Sequence, residues 1–177
     1  MTRTLLLLPL AILAACGAPR TNPVVDEPVA CEVLDLANCR QSGDVVFGGQ
    51  PTPATLQFLA DHGYTTVVST RGLTEVDWDE RAAVESLGMR FVQIPMSNPV
   101  TGITDAQIAA LDSVLQDPSG PVLLHCGSGN RVAGLWAAWL TEKRGVHPDT
   151  ALRLATLAGM SGVRLVVEQR LAACKYC

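Results

Sequence analysis

Along most of this chain, apolar and polar positions alternate between a period of two and a period near 3.6, with glycines and prolines at the changes. Val45-Val46-Phe47 predicts a short strand, followed by a turn at Gly48-Gly49 and Gln50-Pro51. Thr52 reads as an N-cap with Pro53 at the first helical position. Leu56, Leu59 and Ala60 then share one face, and Gly63 ends the helix. Thr65 to Ser69 is a β-branched run that predicts a buried strand. A polar loop leads to a helix over about 78–87, closed by Gly88, and then to a third strand, Phe91-Val92-Gln93-Ile94. Thr104 and Gln107 have capping-box spacing, and Ile108, Leu111 and Leu115 line one face of the helix they open. Pro121-Val122-Leu123-Leu124 predicts a fourth strand that runs into His125-Cys126. A long helix follows, with Val132, Leu135, Trp136, Trp139 and Leu140 at core spacing and Gly145 at its end. Two more helices are predicted over about 148–157 and 163–173.

Four strand–helix units in succession imply an α/β fold: a mainly parallel, four- to five-stranded sheet with helices on both faces. Sites in such sheets form at the carboxyl ends of strands. Arg71, the loop over 96–100 and Cys126 all fall at such ends, so they are expected to converge.

The chain start follows a different logic. Arg3 precedes an uncharged apolar run from Leu5 to Ala15, eleven residues that contain Pro9. That is too short for a permanent membrane helix and reads as a secretory signal. Its end, Leu13-Ala14-Ala15-Cys16, resembles the bacterial lipobox, which implies removal of 1–15 and lipidation of Cys16. Several acyl chains on one residue give stable anchoring. Gly17 after the cysteine implies, from lipoprotein sorting, the periplasmic face of the outer membrane. The expected organisation is a signal at 1–15, a lipidated cysteine and Pro-rich tether at 16–42, and a domain at 43–177.

Length, charge and cysteines limit the function classes. With 177 residues, 48% hydrophobic and 17% charged, the chain is one ordinary globular domain and not a disordered or collagen-like one. A formal net charge of −4 argues against a nucleic-acid binder working through bulk charge. Six cysteines are present. With Cys16 lipidated and Cys126 a functional thiol, Cys31, Cys39, Cys174 and Cys177 remain, enough for two structural disulfides in an oxidising compartment. Three connectivities are open, among them local pairing within 31/39 and within 174/177. No convincing zinc set is found.

The chemistry is concentrated in His125-Cys126-Gly127-Ser128-Gly129-Asn130-Arg131, which joins a buried strand to a helix. Gly127 and Gly129 permit a tight turn with successive N–H groups pointing inward, and the helix start adds its positive end. Arg131 supplies a planar fork for two oxygens of a phosphate. The same dipoles are expected to lower the pKa of Cys126 and make it a nucleophile. Gly127, Ser128, Gly129, Asn130 and Arg131 are the candidate phosphate ligands. His125 is a supporting residue behind the loop, and Arg71 either supports the second loop or touches substrate.

His-Cys, a Gly-containing loop and Arg resemble the cysteine-dependent tyrosine and dual-specificity phosphatases. More narrowly, the chain from Phe47 to about Gly159 resembles the phosphatase-like domain of β-lactamase-hydrolase-like proteins. The matching stretches are Gly49-Gln50-Pro51, Thr70-Arg71, Ile94-Pro95 and the loop from His125 to Arg131. The resemblance implies hydrolysis of a phosphorylated substrate through a cysteinyl-phosphate, with no metal or other cofactor, and an Asp that protonates the leaving group. Three departures stand against it. Only four residues separate Cys126 from Arg131 where the family usually has five, a length that resembles rhodanese sulfurtransferases and their persulfide. Val132 stands where Ser or Thr usually follows the arginine. The loop Ser97-Asn98-Pro99-Val100-Thr101-Gly102 holds no carboxylate, which leaves Asp77 and Asp105 as the candidate acids, with Glu75 and Asp79 near Asp77. The alternatives are therefore a sulfurtransferase and a non-catalytic oxyanion-binding lipoprotein.

Overall fold

The computed structural model describes residues 25–33, 35–96, 102–116 and 118–173. The elements run β1 (Val29–Ala30), β2 (Arg40–Ser42), β3 (Val45–Gly48), α1 (Pro53–Asp61), β4 (Thr66–Ser69), α2 (Glu80–Ser86), β5 (Arg90–Gln93), α3 (Asp105–Leu115), β6 (Val122–His125), α4 (Asn130–Arg144), α5 (Pro148–Leu157) and α6 (Arg164–Ala173). Among the described residues they form one six-stranded sheet in the order β1-β2-β3-β6-β4-β5. β6 pairs in parallel with both β3 and β4, and β5 pairs in parallel with β4.

The register sorts the apolar side chains by face. Val46, Leu123 and Val67 lie abreast, as do Phe47, Leu124 and Val68. The first row packs with Leu56 and Leu59 of α1 and Val84 of α2. The second packs with α3, α4, α5 and α6. Side chains alternate across a strand, so each four-residue strand feeds both cores. α4 carries the larger one: every residue from Val132 to Thr141 is buried, and Trp136 packs on Phe47 with ring centroids 4.9 Å apart. Trp139 is also buried, and its indole N–H donates to Asp112 at 2.9 Å.

The predicted helix signals are the ones the structure uses. Thr52 and Thr104 each accept from the backbone of the residue three further on, within reciprocal capping boxes. α2 begins later than its apolar period suggests, because Asp79 is its cap and accepts from Ala82 N at 2.9 Å.

The predicted tether is too long at its C-terminal end. β1 and β2 form an antiparallel pair that adds to the β3 edge, and Cys31 is disulfide-bonded to Cys39. Leu36 and Cys39 are buried there, and Leu36 fills the space over Gly48, where an added Cβ would lie 2.6 Å from its Cγ. Strands this short show no period in the sequence, and only the pairing of β1 with β2 and of β2 with β3 reveals them. The sheet therefore has more strands than the four to five expected. The Cys31–Cys39 bond agrees with the local pairing option; Cys174 and Cys177, like Cys16 and the signal, lie outside the described residues.

α4 and α6 approach closely at Gly134, where an added Cβ would sit 2.8 Å from a Val163 methyl and 3.0 Å from one of Val167. Gly134→Val is expected to lower stability by about 2 kcal/mol or more through overpacking, read as a lower urea midpoint at unchanged m.

Candidate active site

β6 is one of the two inner strands of the parallel set, and the site begins where its pairing ends. Ser69 of β4 and Gly48 of β3 both stand beside His125 in register. Thr70 N donates to His125 O at 3.0 Å and Cys126 N to Gly48 O at 3.4 Å, so the chain is held on both sides as it leaves the sheet. Gly49 then bridges to Ser128, and an added Cβ there would lie 3.1 Å from Gly127 O. Gly129 precedes α4 with φ 88°, the left-handed region in which a side chain is strained. Those contacts explain a glycine at each position.

The loop turns its amides onto sulfur. Gly129 N lies 3.1 Å and Ser128 N 3.5 Å from Cys126 Sγ. Cys126 is buried and free of disulfide, while Gly127 and Ser128 are exposed at the mouth. Burial by itself pushes the thiol up, but the amides of Ser128, Arg131, Val132 and Gly129 together bring it below its ordinary value.

Arg131 points its fork at a carboxylate. Its Nη1 donates to Glu75 Oε1 at 2.9 Å and its Nη2 to Glu75 Oε2 at 2.6 Å, and Nη1 also reaches Met96 O at 3.2 Å. Glu75 lies in the loop after β4 and also accepts from Gly72 N at 2.8 Å. The Arg131 hydrogen bonds, with lesser help from Gly72 and Arg71, hold the Glu75 carboxyl at about 2. Arg71 donates to Gln50 Oε1 at 2.7 Å and to the Glu75 carbonyl. It supports the second loop, and the acid it braces is Glu75, not Asp77 or Asp79.

Behind the cradle lies a polar chain that sequence reasoning did not find. Glu80 is 5% exposed; its Oε1 accepts from Gln50 Nε2 at 2.6 Å and lies 3.0 Å from His125 Nε2. An acid at the start of a helix reads as a match to the helix dipole, and nothing in its spacing marks it as buried. The glutamine between Gly49 and Pro51 was the only local signal.

Other predicted ligands lie elsewhere. The Asn130 side-chain oxygen accepts from Ser161 N at 2.7 Å and Val163 N at 3.5 Å, so it ties α4 to the turn before α6. Asp105 opens α3 with its carboxylate engaged by Arg170, which also holds Glu142. Asp77 is exposed on the Glu75 loop. Residues 97–101 of the other candidate acid loop lie outside the described set. Among the described residues, no group of three or more His, Cys, Asp or Glu is placed to hold a metal ion.

Loop amides gathered on a cysteine at the carboxyl edge of the parallel strands, with an arginine on the following helix, fit the tyrosine and dual-specificity phosphatase class that the sequence resembles. The match to known families runs the same way. A family model described as "DSP-PTPase phosphatase fused to NAD+ Kinase" matches residues 23–171, and the chain belongs to that family. The β-lactamase hydrolase-like protein of Agrobacterium fabrum is 30% identical over 97 residues, 52% of this chain and 22% of that protein. Its counterpart from Xylella fastidiosa Temecula1 is 30% identical over 98 residues, with the same coverage of 52% and 22%. This chain thus spans less than a quarter of the curated relatives it matches. Among solved structures, P. aeruginosa TpbA in complex with phosphotyrosine superposes with TM-score 0.66 at 19% identity, covering 84% of this chain and 90% of that one. Tk-PTP in its active form gives 0.58 at 21% identity, with 73% and 91% covered. These two likenesses show the shared fold.

Glu75 makes the stability of the site pH-dependent. Its folded-state pKa is about 2 against an ordinary 4.5, so the Arg131 pair stabilises fully above about pH 4.5 and is lost as pH falls toward 2. With the carboxylate 32% exposed, solvent screening reduces the contribution to about 1–2 kcal/mol. The stability gap between wild type and Glu75→Gln, from urea unfolding, is expected at neutral pH and should close near pH 2.

Proposed function

We propose that the protein hydrolyses phosphate monoesters through a cysteinyl-phosphate on Cys126. The observation that carries this reading is the convergence of the Ser128 and Gly129 amides on Cys126 Sγ, in the loop that ends at Arg131. The thiolate attacks phosphorus in line with the leaving oxygen. The amides of the loop and the Arg131 fork hold the non-bridging oxygens as charge builds on them. The P–O bond breaks toward the leaving group, which takes a proton from an acid. Water then attacks the cysteinyl-phosphate, releasing inorganic phosphate and restoring the thiolate.

Asp77 is the better candidate for that acid. It stands two residues from Glu75 on the same loop, whereas the Asp105 carboxylate is tied to Arg170. His125 and Arg71 act as supporting residues: His125 braces the start of the loop and Arg71 the Glu75 loop. Gly127, Ser128 and Gly129 contribute through the backbone, and the Asn130 side chain holds the loop's far end. A phosphorylated substrate is the partner.

The domain is assigned to an extracytoplasmic lipid tether at Cys16, a reading supported by the Leu13-Ala14-Ala15-Cys16 pattern and by the Cys31–Cys39 disulfide. No described helix is long and apolar enough to cross a membrane.

Cys126→Ser is expected to reduce phosphate release from para-nitrophenyl phosphate by about a thousandfold or more. A parallel assay of thiosulfate-to-cyanide sulfur transfer covers the reading that the four-residue loop favours; transfer without phosphate release would replace the phosphatase reading by a persulfide one. Asp77→Asn should cut kcat by about a hundredfold on an alkyl phosphate and far less on the activated aryl ester, whose leaving group needs no proton. Asp105→Asn should lower thermal stability and leave that leaving-group dependence unchanged.

A further inference from the structure

One of the amides that face the sulfur belongs to a peptide that is free to turn away. Gly129 N lies 3.1 Å from Cys126 Sγ. Gly129 itself has φ 88° and ψ −18°, close to the values of the third residue of a type II turn. Type I and type II turns differ mainly by a half-rotation of the central peptide, and glycine accepts either sign of φ. Flipping the Ser128–Gly129 peptide would therefore cost little in backbone strain. It would also replace the inward N–H by the Ser128 carbonyl oxygen, which repels a thiolate and a phosphate alike. The cradle needs something that holds this peptide one way round.

Asn38 supplies that hold. Its Nδ2 donates to Ser128 O at 3.2 Å, and in a trans peptide the carbonyl oxygen and the amide hydrogen point in opposite directions. Holding Ser128 O outward thus aims Gly129 N–H at the sulfur. Asn38 is exposed, but its backbone is closely fixed. It lies in the loop closed by the Cys31–Cys39 disulfide and has φ 56°, a left-handed value that asparagine adopts more readily than most residues. On its N-terminal side, Leu36 fills the space over Gly48 and Ala37 O accepts from Gly49 N at 2.8 Å. On its C-terminal side, Cys39 is buried and Arg40 pairs with Phe47. Gly49 is the layer between the two loops: an added Cβ there would lie 3.3 Å from Ala37 Cβ and 3.1 Å from Gly127 O.

We propose that Asn38 is a positioning residue of the cradle. From the disulfide-closed loop it holds the Ser128 carbonyl outward, and thereby keeps the Gly129 N–H on the side where Cys126 and the substrate phosphate meet. The proposal rests on the reading of Cys126 as the nucleophile. Asn38 acts through the backbone and does not itself touch substrate. The cradle thus depends on the Cys31–Cys39 bond, whose loss frees the loop that carries Asn38.

The test compares Asn38→Gly with wild type on the full chain with its disulfide formed. Glycine suits a φ of this sign, so the variant removes the side chain and keeps the backbone conformation. Three quantities are read. They are kcat/KM for para-nitrophenyl phosphate against pH, the pH titration of the Cys126 thiolate by its ultraviolet absorbance (as the difference from the same protein with Cys126→Ser), and the urea midpoint. Asn38→Gly is expected to lower kcat/KM by about tenfold at neutral pH. The acid limb of kcat/KM and the thiolate titration should both move upward by about half a pH unit or more, because the sulfur loses a donor. The urea midpoint should change little. Asn38→Asp, which keeps the shape but turns an acceptor toward a carbonyl, should lose at least as much activity. A variant with Cys31→Ser and Cys39→Ser should show part of the same loss, and adding Asn38→Gly to it should cost less than about threefold more.

Wild-type kcat/KM with an unmoved thiolate titration in Asn38→Gly would overturn the proposal. So would a loss of activity that follows the urea midpoint while both pH profiles stay in place, which is the mark of a merely structural residue. A full Asn38→Gly loss in the protein without the disulfide would overturn the dependence on that bond. Failure of ester hydrolysis in every variant would overturn the phosphatase reading. A thiolate titration shifted in Asn38→Gly would even then uphold Asn38 as the residue that aims the Gly129 amide.

Discussion

The chain has to turn from a strand buried on both sides into a helix buried nearly all round within the few residues after His125, while its amide groups stay pointed inward. Such a turn leaves the first N–H groups of α4 without helical partners. The protein gives some of them Cys126 Sγ to bind, and the sulfur in turn gains the donors that favour its ionised form over the effect of burial. Much of the surrounding architecture serves that exchange. β6 is central so that β3 and β4 can hold it up to its last residue, Gly49 lets the Ser128 backbone lie against its own, and α4 is anchored by the Trp136–Phe47 ring contact, by the Trp139 hydrogen bond to Asp112 and by its close seat on α6.

Charge placement around the cradle follows from the same geometry. A guanidinium at the inner end of the loop is partly desolvated and needs a counterion. Glu75 meets that need and remains ionised throughout the neutral range. Because the loop bearing Glu75 leaves the neighbouring strand β4, the braces on Arg71 and Gln50 connect it to the strand end that carries the cysteine. The resulting chain of contacts runs from Arg131 through Glu75, Arg71, Gln50 and Glu80 to His125. At its buried end, loss of Gln50 takes from the Glu80 carboxylate its hydrogen-bond donor, which costs more than the hydrogen bond itself contributes.

The N-terminal arm shows how a disulfide and one leucine can extend a sheet that the chain's periodicity does not predict. Leu36 occupies space that only a glycine at 48 leaves open, and Gly49 N donates to Ala37 O at 2.8 Å. The arm thereby presses on the strand end and turn that flank the Cys126 loop. A segment whose composition reads as a spacer is, from Val29 onward, part of the wall supporting the site.

By itself the sequence determined the α/β class, the four parallel strands, the Thr52 cap and the Thr104 capping box, the buried faces of the helices and the loop that carries the thiol and the arginine. Those features are local: each depends on spacing, propensity or turn chemistry within about a dozen residues. Tertiary structure alone decided which acid meets Arg131, that Asn130 turns away to the Ser161 backbone, that Asp105 belongs to Arg170, and that Glu80 is buried beside His125. Each joins residues far apart in the chain, 56 positions in the case of Glu75 and Arg131. Charged side chains have long, flexible reach, and their partners depend on which loops the strand order brings side by side. That order, with the last strand placed between β3 and β4, is set by packing of the whole sheet and leaves no mark at the spacing of any single motif.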